Sequence, residues 1–384
     1  MRYNDFNGEK VSSLGFGTMR LPMDQNGNID YVEGEKMVAQ ALEGGITYFD
    51  TAYRYHQGES ENFCGVALSK YPREKYLLAD KLPTWLCNTV EDAEKIFREQ
   101  LDKCKVEYFD YYLLHNVDEE GWPNIEKLDL VSFMASLKER GLAKHVGFSA
   151  HCEPELLEEI FSKHADVLEF VQLQINYFDW EYKKAKALYE VARKYNKPII
   201  IMEPVRGGML ANLPSQEAKD ILTEATKSLG KDAASEASYA LRFVEQLEGV
   251  ALTLSGMSTC EQMADNIATF SGAPLDKEEL EAIHVAASKL QADIIVPCTA
   301  CDYCYECPSE IKISKIFAWY NEAAAKGFHW IWGSLSKEYE KLGPNATNCV
   351  ECGNCEGHCP QKIGVIQKLK DIHKKYEELK EKGE

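Results

Sequence analysis

Residues 46–55 read ITYFDTAYRY. An apolar run of Ile46, Tyr48 and Phe49 stops abruptly at Asp50. Tyr55 follows five residues later, ahead of the polar run His56-Gln57-Gly58-Glu59-Ser60-Glu61. A buried strand that carries a carboxylate to its C-terminal tip, with a tyrosine in the next loop, is how a barrel assembles a catalytic site. The plainer reading has Asp50 capping the following helix and Tyr55 packing on it. The pattern along the rest of the chain separates the two.

Short apolar runs recur at helix-plus-strand spacing and predict strands at 13–17, 46–50, 76–81, 109–115, 145–149, 168–174, 199–203 and 250–255. An Asn-Gly pair in Phe6-Asn7-Gly8-Glu9 predicts a hairpin before them. Amphipathic stretches lie between the runs. One at 92–104 follows Thr89 and Glu91, one at 153–163 has Pro154 in its first turn, and one at 181–195 is stopped by Lys197-Pro198. This alternation is an α/β pattern that fits a closed (β/α)8 TIM barrel better than an open sheet. No G-x-G-x-x-G follows the first strand, which speaks against a dinucleotide-binding half of the Rossmann kind. Seven strands end in Asp50, Lys81, His115, Ser149, Gln174, Glu203 and Ser255. A buried parallel strand has no structural need for such endings, and in a barrel they converge on one face, so the functional reading is preferred. The longest departure from the repeat, between Glu203 and Val250, contains Arg206-Gly207-Gly208. Its glycines suit close backbone approach to a pyrophosphate, with Arg206 pairing to it bidentately; a glycine-rich turn with a surface arginine reads equally well.

The chain has 384 residues, enough for a large domain and a smaller one. Its 43 basic and 62 acidic residues give a net charge of −19, which argues against a nucleic-acid partner. The polar start MRYNDFNGEK shows no signal peptide, and no apolar run has the length of a membrane span, so a cytoplasmic location is expected. Thirteen cysteines in such a chain are not a disulfide framework. Five are scattered; eight form two tight groups.

Asp50-Thr51-Ala52-x-x-Tyr55, Lys81 in Asp80-Lys81-Leu82-Pro83, and His115 in Tyr112-Leu113-Leu114-His115 resemble the signatures of the aldo-keto reductase family, over roughly residues 10–270. The resemblance implies that Tyr55 protonates a carbonyl oxygen while a nicotinamide delivers hydride to carbon. A free tyrosine, with a pKa of about 10, is too weak an acid for easy work near neutrality. Lys81 is placed to lower that value, Asp50 to hold Lys81 charged, and His115 to donate to the substrate oxygen. By the same resemblance Ser149 and Gln172 hold the nicotinamide amide. Ser255-Gly256-Met257-Ser258 and Asp265-Asn266 grip the adenosine phosphates and the adenine, at a helix N-terminus suited to anions. Two departures stand out. Glu203 or Met202 occupies the place of an aromatic ring under the nicotinamide, and Gln262 that of an arginine for the extra phosphate of NADP. NADH, NADPH, a loosely held nucleotide or another electron donor all stay open. Trp85, Trp122 and Trp180, in loops after strands, read as pocket walls or as packing.

Residues 297–308 read PCTACDYCYECP and carry Cys298, Cys301, Cys304 and Cys307; residues 349–360 read CVECGNCEGHCP and carry Cys349, Cys352, Cys355 and Cys359. The second is the bacterial ferredoxin run, and the first has one residue fewer before its last cysteine. Paired C-x2-C units also bind zinc, but a fourth cysteine followed by proline, twice over, favours two [4Fe–4S] clusters. This fusion resembles a branch of aldo-keto reductases with a C-terminal ferredoxin-like domain, common in anaerobes. By that resemblance Cys298, Cys301 and Cys304 share a cluster with Cys359, and Cys349, Cys352 and Cys355 share one with Cys307. Between the motifs, 309–347 reads as helical and aromatic, with Phe317, Trp319, Tyr320, Trp330 and Trp332.

The expected organisation is a reductase barrel over 1–285 and a mainly helical ferredoxin-like iron–sulfur domain over 286–384. The expected activity is reduction of an aldehyde or ketone with NAD(P)H, coupled to clusters that pass electrons to or from a redox protein partner. Hydride moves two electrons and each cluster one, so the clusters are structural, serve another acceptor, or work with a flavin here or in a partner. Two other readings stay alive: an electron carrier whose barrel docks a redox enzyme, and a redox-sensing regulatory barrel with little turnover.

Overall fold

The computed structural model describes residues 1–382 apart from 183, 232, 233, 305, 326, 327 and 329–331; Trp330 and the side chain of Trp332 lie outside the described residues. Asn7 and Gly8 both take positive φ, 56° and 86°, the geometry of a tight hairpin turn between β1 (Tyr3–Phe6) and β2 (Glu9–Ser12). The runs after it form β3 (Leu14–Gly17), β4 (Tyr48–Asp50), β5 (Leu77–Leu82), β6 (Phe109–Val117), β7 (Ala143–Ala150), β8 (Phe170–Gln174), β9 (Ile199–Met202) and β10 (Val250–Ser255). Each pairs in parallel with the next. β10 closes the ring on β3 through Thr253↔Leu14, Leu254↔Gly15 and Ser255↔Phe16. The expected TIM barrel is therefore what the chain builds. Glu203, expected as the last strand residue, lies just past β9 with φ 54°.

The hairpin has a packing role. Phe6 is fully buried, stacks on Tyr111 with ring centroids 4.5 Å apart, and meets Phe170 edge-on at 5.3 Å. The Tyr111 hydroxyl donates to the Phe6 carbonyl. Tyr48 and Tyr111 lie near the starts of β4 and β6, so Phe6 fills the end of the barrel where the strands begin. The opposite end is left to Asp50, Lys81 and His115.

The helices follow local chemistry. Thr89 and Asp92 form a capping box ahead of Val90–Cys104, and Pro154 opens Pro154–His164. Gly65 is required where two helices touch: a Cβ there would lie 2.1 Å from the Lys103 carbonyl oxygen. The single helix expected at 181–195 is instead two, Asp179–Tyr182 and Ala185–Lys194, because Lys184 takes a left-handed conformation with φ 53°.

Contacts divide the chain into two units, Met1–Pro204 with Ser238–Leu275, and Val205–Ala237 with Asp276–Glu384. In the second, Gln216–Ser228 packs on Lys277–Asp293. There the buried Glu279 carboxylate accepts from Lys231 at 2.8 Å and from Thr226 at 3.3 Å. Ile313–Ala325, Trp332–Lys341 and Val365–Lys382 gather around Tyr339, whose ring lies 4.6 Å from Trp319 and 4.5 Å from Tyr376. No described helix is long and apolar enough to cross a membrane.

Removing a fully buried, stacked ring leaves a cavity that a barrel closed on all sides cannot collapse. Phe6→Ala is expected to lower the unfolding free energy of the barrel by about 3–5 kcal/mol, read from the urea midpoint of its transition. A loss below about 1 kcal/mol would show that the hairpin is not part of the core.

Candidate active site and cysteine groups

Lys81 is the centre of the first site. It stands one residue before the end of β5 and is wholly buried. A lysine ammonium has three donors. All three are in use: Nζ donates to Asp50 Oδ1 at 2.5 Å, to the Thr51 carbonyl at 2.7 Å and to the Tyr55 hydroxyl at 3.4 Å. Asp50 reaches it from the tip of β4. Tyr55 arrives on a tight turn, Tyr55–Gly58, in which His56 and Gln57 take left-handed conformations and the His56 ring accepts from the Leu21 amide. The Tyr55–His115 ring centroids are 6.1 Å apart, so the four expected residues form one constellation.

A bulge aims His115. The β6–β7 register shifts between Leu114 and Val117, Asn116 takes φ 58°, and its amide is received by Ser149 Oγ at 2.9 Å. Bulges of this kind commonly re-aim a side chain beside a site. The His115 carbonyl accepts from Thr84, and its Nδ1 is buried without a partner. Burial, with Lys81, His151 and Arg54 nearby, holds the imidazole well below its usual pKa, so the ring is neutral near pH 7.

The tyrosine departs from expectation. Burial, then the negative charges of Asp50 and Glu203, holds the Tyr55 hydroxyl well above the usual phenol range. Burial pushes the Asp50 carboxyl up and the Lys81 charge pulls it back. The site thus presents a protonated phenol held by an ammonium.

A polar layer behind Lys81 was not anticipated. Gln100 Nε2 donates both to Glu61 and to the Lys81 carbonyl, the Tyr112 hydroxyl donates to Gln100 Oε1, and the Lys81 amide donates to Asp80. These residues come from separate helices and strands with no motif spacing, which is why sequence reading missed them.

Of the three tryptophans, Trp85 adjoins the constellation, 5.2 Å from the His115 ring with Arg54 over its own ring. Trp122 packs on His164, and Trp180 on Tyr189 and Phe243.

The expected nucleotide residues are placed unevenly. Gln172 is buried with Oε1 unpartnered, an acceptor that a carboxamide NH2 would satisfy, while its Nε2 rests on Met202 Sδ at 3.6 Å. Ser149 serves the bulge. Ser255 Oγ accepts from Asn266, and Ser258 donates to the Arg20 carbonyl. Gly256 lies against the Arg20 side chain, and Asp265 is in the helix Cys260–Ser271. Gln262 Oε1 accepts from the Ser258 amide at the start of that helix. Glu203 acts on Tyr55 electrostatically and its carbonyl accepts from Asn176. Arg206 and Gly207 belong to the second unit, and Arg206 is 1% exposed.

The eight motif cysteines form two groups. Burial pushes Cys298 up to about 11, and Cys359 is among the thiols acting on it; Cys304 is raised by burial, with Cys301 and Cys298 beside it. Burial pushes Cys355 up to about 11, with Cys349 and Cys307 beside it. Cys307, Cys349, Cys352 and Cys355 line one pocket, walled by Ile311, Ile313, Ile366 and Leu369. The two motifs also share a backbone pattern. Ala300 and Glu351, Asp302 and Gly353, and Glu310 and Lys362 are left-handed at matching positions, and Ile313 and Val365 each open a helix or its capping turn. This repeat extends past the cysteines and was visible only once the dihedrals were known. Four thiols around an apolar pocket suit an inorganic core held by thiolates.

Comparison with known proteins agrees with this geometry. The family model described as Aldo/keto reductase family matches residues 13–287, and one described as 4Fe-4S dicluster domain matches residues 297–363. An uncharacterized oxidoreductase of Bacillus subtilis, YqkF, is 24% identical over 71% of this chain and 92% of its own length. A probable aldo-keto reductase 1 of Glycine max is 25% identical over 73% of this chain and 86% of its own. Among solved structures, the aldo-keto reductase AKR11C1 of Bacillus halodurans superposes with a TM-score of 0.61 at 23% identity, covering 74% of this chain and 96% of that one. A thermostable aldo-keto reductase, Tm1743, does so with a TM-score of 0.63 at 24% identity, covering 74% and 100%. The chain belongs to the aldo/keto reductase family and carries a 4Fe-4S dicluster domain C-terminal to its barrel.

Proposed function

We propose that the protein reduces a small aldehyde or ketone with a nicotinamide coenzyme, with Tyr55 as the acid. The observation that carries this is the buried Lys81 ammonium holding Asp50 and the Tyr55 hydroxyl at once. A bound NAD(P)H would supply hydride to the carbonyl carbon. The residues of the chain do the rest. Neutral His115 donates a hydrogen bond to the carbonyl oxygen and orients it. Tyr55 gives that oxygen its proton as the carbonyl π bond breaks, and the Lys81 charge stabilises the phenolate left behind until solvent restores the proton. Gln172 Oε1 holds the carboxamide, and Ser255, Gly256, Ser258, Asp265 and Asn266 form the loop and helix start for the adenosine end. Gln262 leaves either coenzyme usable.

In this reading residues 1–285 are the reductase domain and 286–384 the iron–sulfur domain. Cys298, Cys301, Cys304 and Cys359 hold one [4Fe–4S] cluster, and Cys307, Cys349, Cys352 and Cys355 the other. Each cluster, when bound, carries one electron at a time, so an exchange with hydride chemistry needs a two-electron intermediary such as a flavin, here or on a redox protein partner.

Tyr55→Phe keeps the ring and removes the proton. The expected result is a fall of roughly 10²–10⁴ in kcat for NAD(P)H-dependent carbonyl reduction, scanned over aldehydes and ketones with both coenzymes, with KM little changed. Wild-type turnover in the variant would contradict Tyr55 as the acid, and negligible carbonyl turnover in the wild type would favour the electron-carrier or regulatory readings. Cys307→Ser is expected to abolish the cluster of the Cys349–Cys352–Cys355 group and spare the other, halving iron and acid-labile sulfide after anaerobic preparation. Zinc in place of iron, or loss confined to the Cys298 group, contradicts the assignment.

A further inference from the structure

Arg206 reads in the sequence as a pyrophosphate ligand or a surface arginine, yet among the described residues it is the bulkiest of the fully buried side chains. Its Nη2 donates to the carbonyl of Pro297, the residue before Cys298, at 3.3 Å, and its Nη1 rests on Met209 Sδ. The backbone is shaped for this contact. Arg206 takes φ 49°, a conformation that non-glycine residues adopt at a cost, and Gly207 takes φ 66°. A Cβ on Gly207 would lie 1.7 Å from the Thr299 carbonyl oxygen, so only glycine lets this loop lie on the chain segment that contains Cys298. The guanidinium charge is thereby carried to the segment that holds Cys298. Among the side-chain charges acting on Cys298, Cys359 and Asp302 oppose the thiolate, whereas that of Arg206 stabilises it. The Ala300 amide also donates to Cys298 Sγ at 3.3 Å.

We infer that Arg206 is the charge partner of the Cys298–Cys301–Cys304–Cys359 group and sets the reduction potential of the cluster that group holds, making it easier to reduce. The inference rests on the reading that these four cysteines bind a [4Fe–4S] cluster. Reduction adds one electron, and so one negative charge, to the thiolate-held core; a fixed cation nearby favours that state, and no proton need move. Arg206 touches no reacting atom in this account and acts only through the charge it brings to the cysteines.

The test is a dithionite titration of the full chain, reconstituted anaerobically and followed by paramagnetic resonance, in the wild type, Arg206→Gln and Arg206→Lys. Iron and sulfide content of the wild type decides separately whether the clusters exist. With clusters loaded, Arg206→Gln is expected to shift one of the two reduction steps at least tenfold toward the oxidised form, which is 59 mV for one electron, while Arg206→Lys, which keeps the charge, leaves both in place. Loss of one cluster in Arg206→Gln with retention in Arg206→Lys also supports the charge role. Unmoved midpoints in a fully loaded Arg206→Gln overturn it, as does equal loss of iron in both variants, which would make the role one of packing. Weakened NAD(P)H binding with unmoved midpoints would return Arg206 to the pyrophosphate.

Discussion

The ammonium of Lys81 and its three acceptors are the constraint on which the barrel's chemistry depends. An unpaired charge at this depth would be costly, and removing one partner from such a pair typically costs about 3–5 kcal/mol. The barrel meets the requirement with Asp50 from one strand, a carbonyl from the turn after it, and the Tyr55 hydroxyl. Because β4 and β5 pair in register, with Asp50 opposite Ala79, the lysine and the aspartate are brought to the same rim by the sheet itself. The turn at Tyr55 then follows, since the ring must come back over the strand ends to reach the third donor.

Burial has a second consequence. The low-dielectric surroundings that keep Lys81 tied to Asp50 also hold Tyr55 protonated and His115 neutral. Both are in the form a reductase needs: one with a proton to give, the other with an N–H to donate. The ammonium, fixed 3.4 Å from the hydroxyl where phenolate charge develops, offsets part of what burial adds to the cost of giving up that proton.

Much of this was legible in the chain. Asp50, Lys81 and His115 could be found because a charged or polar end on a buried parallel strand has no packing reason, and the cysteines because their spacing is that of a winding ligand set. What escaped depended on long-range geometry. The bulge at Asn116 that aims His115 needs Ser149 from the next strand. The Glu61–Gln100–Asp80 layer is assembled from elements far apart in sequence. The break at Lys184 is a single left-handed residue in an otherwise helical pattern. Arg206 followed by two glycines fitted a phosphate loop equally well, and only its burial against Pro297 distinguished the alternative. The first cysteine motif, short by one residue, still repeats the backbone turns of the second, so the shortening falls where the fold tolerates it.

The most direct test is the pH dependence of kcat for carbonyl reduction in the wild type and in Lys81→Met. A tyrosine held above its usual range keeps its proton, and a histidine held below its usual 6.5 stays neutral, so the wild-type rate should be flat from about pH 6 to pH 9. Lys81→Met should lower that plateau by roughly 10² or more. A wild-type limb centred near pH 6.5, or a Lys81→Met enzyme as fast as the wild type, would contradict the account.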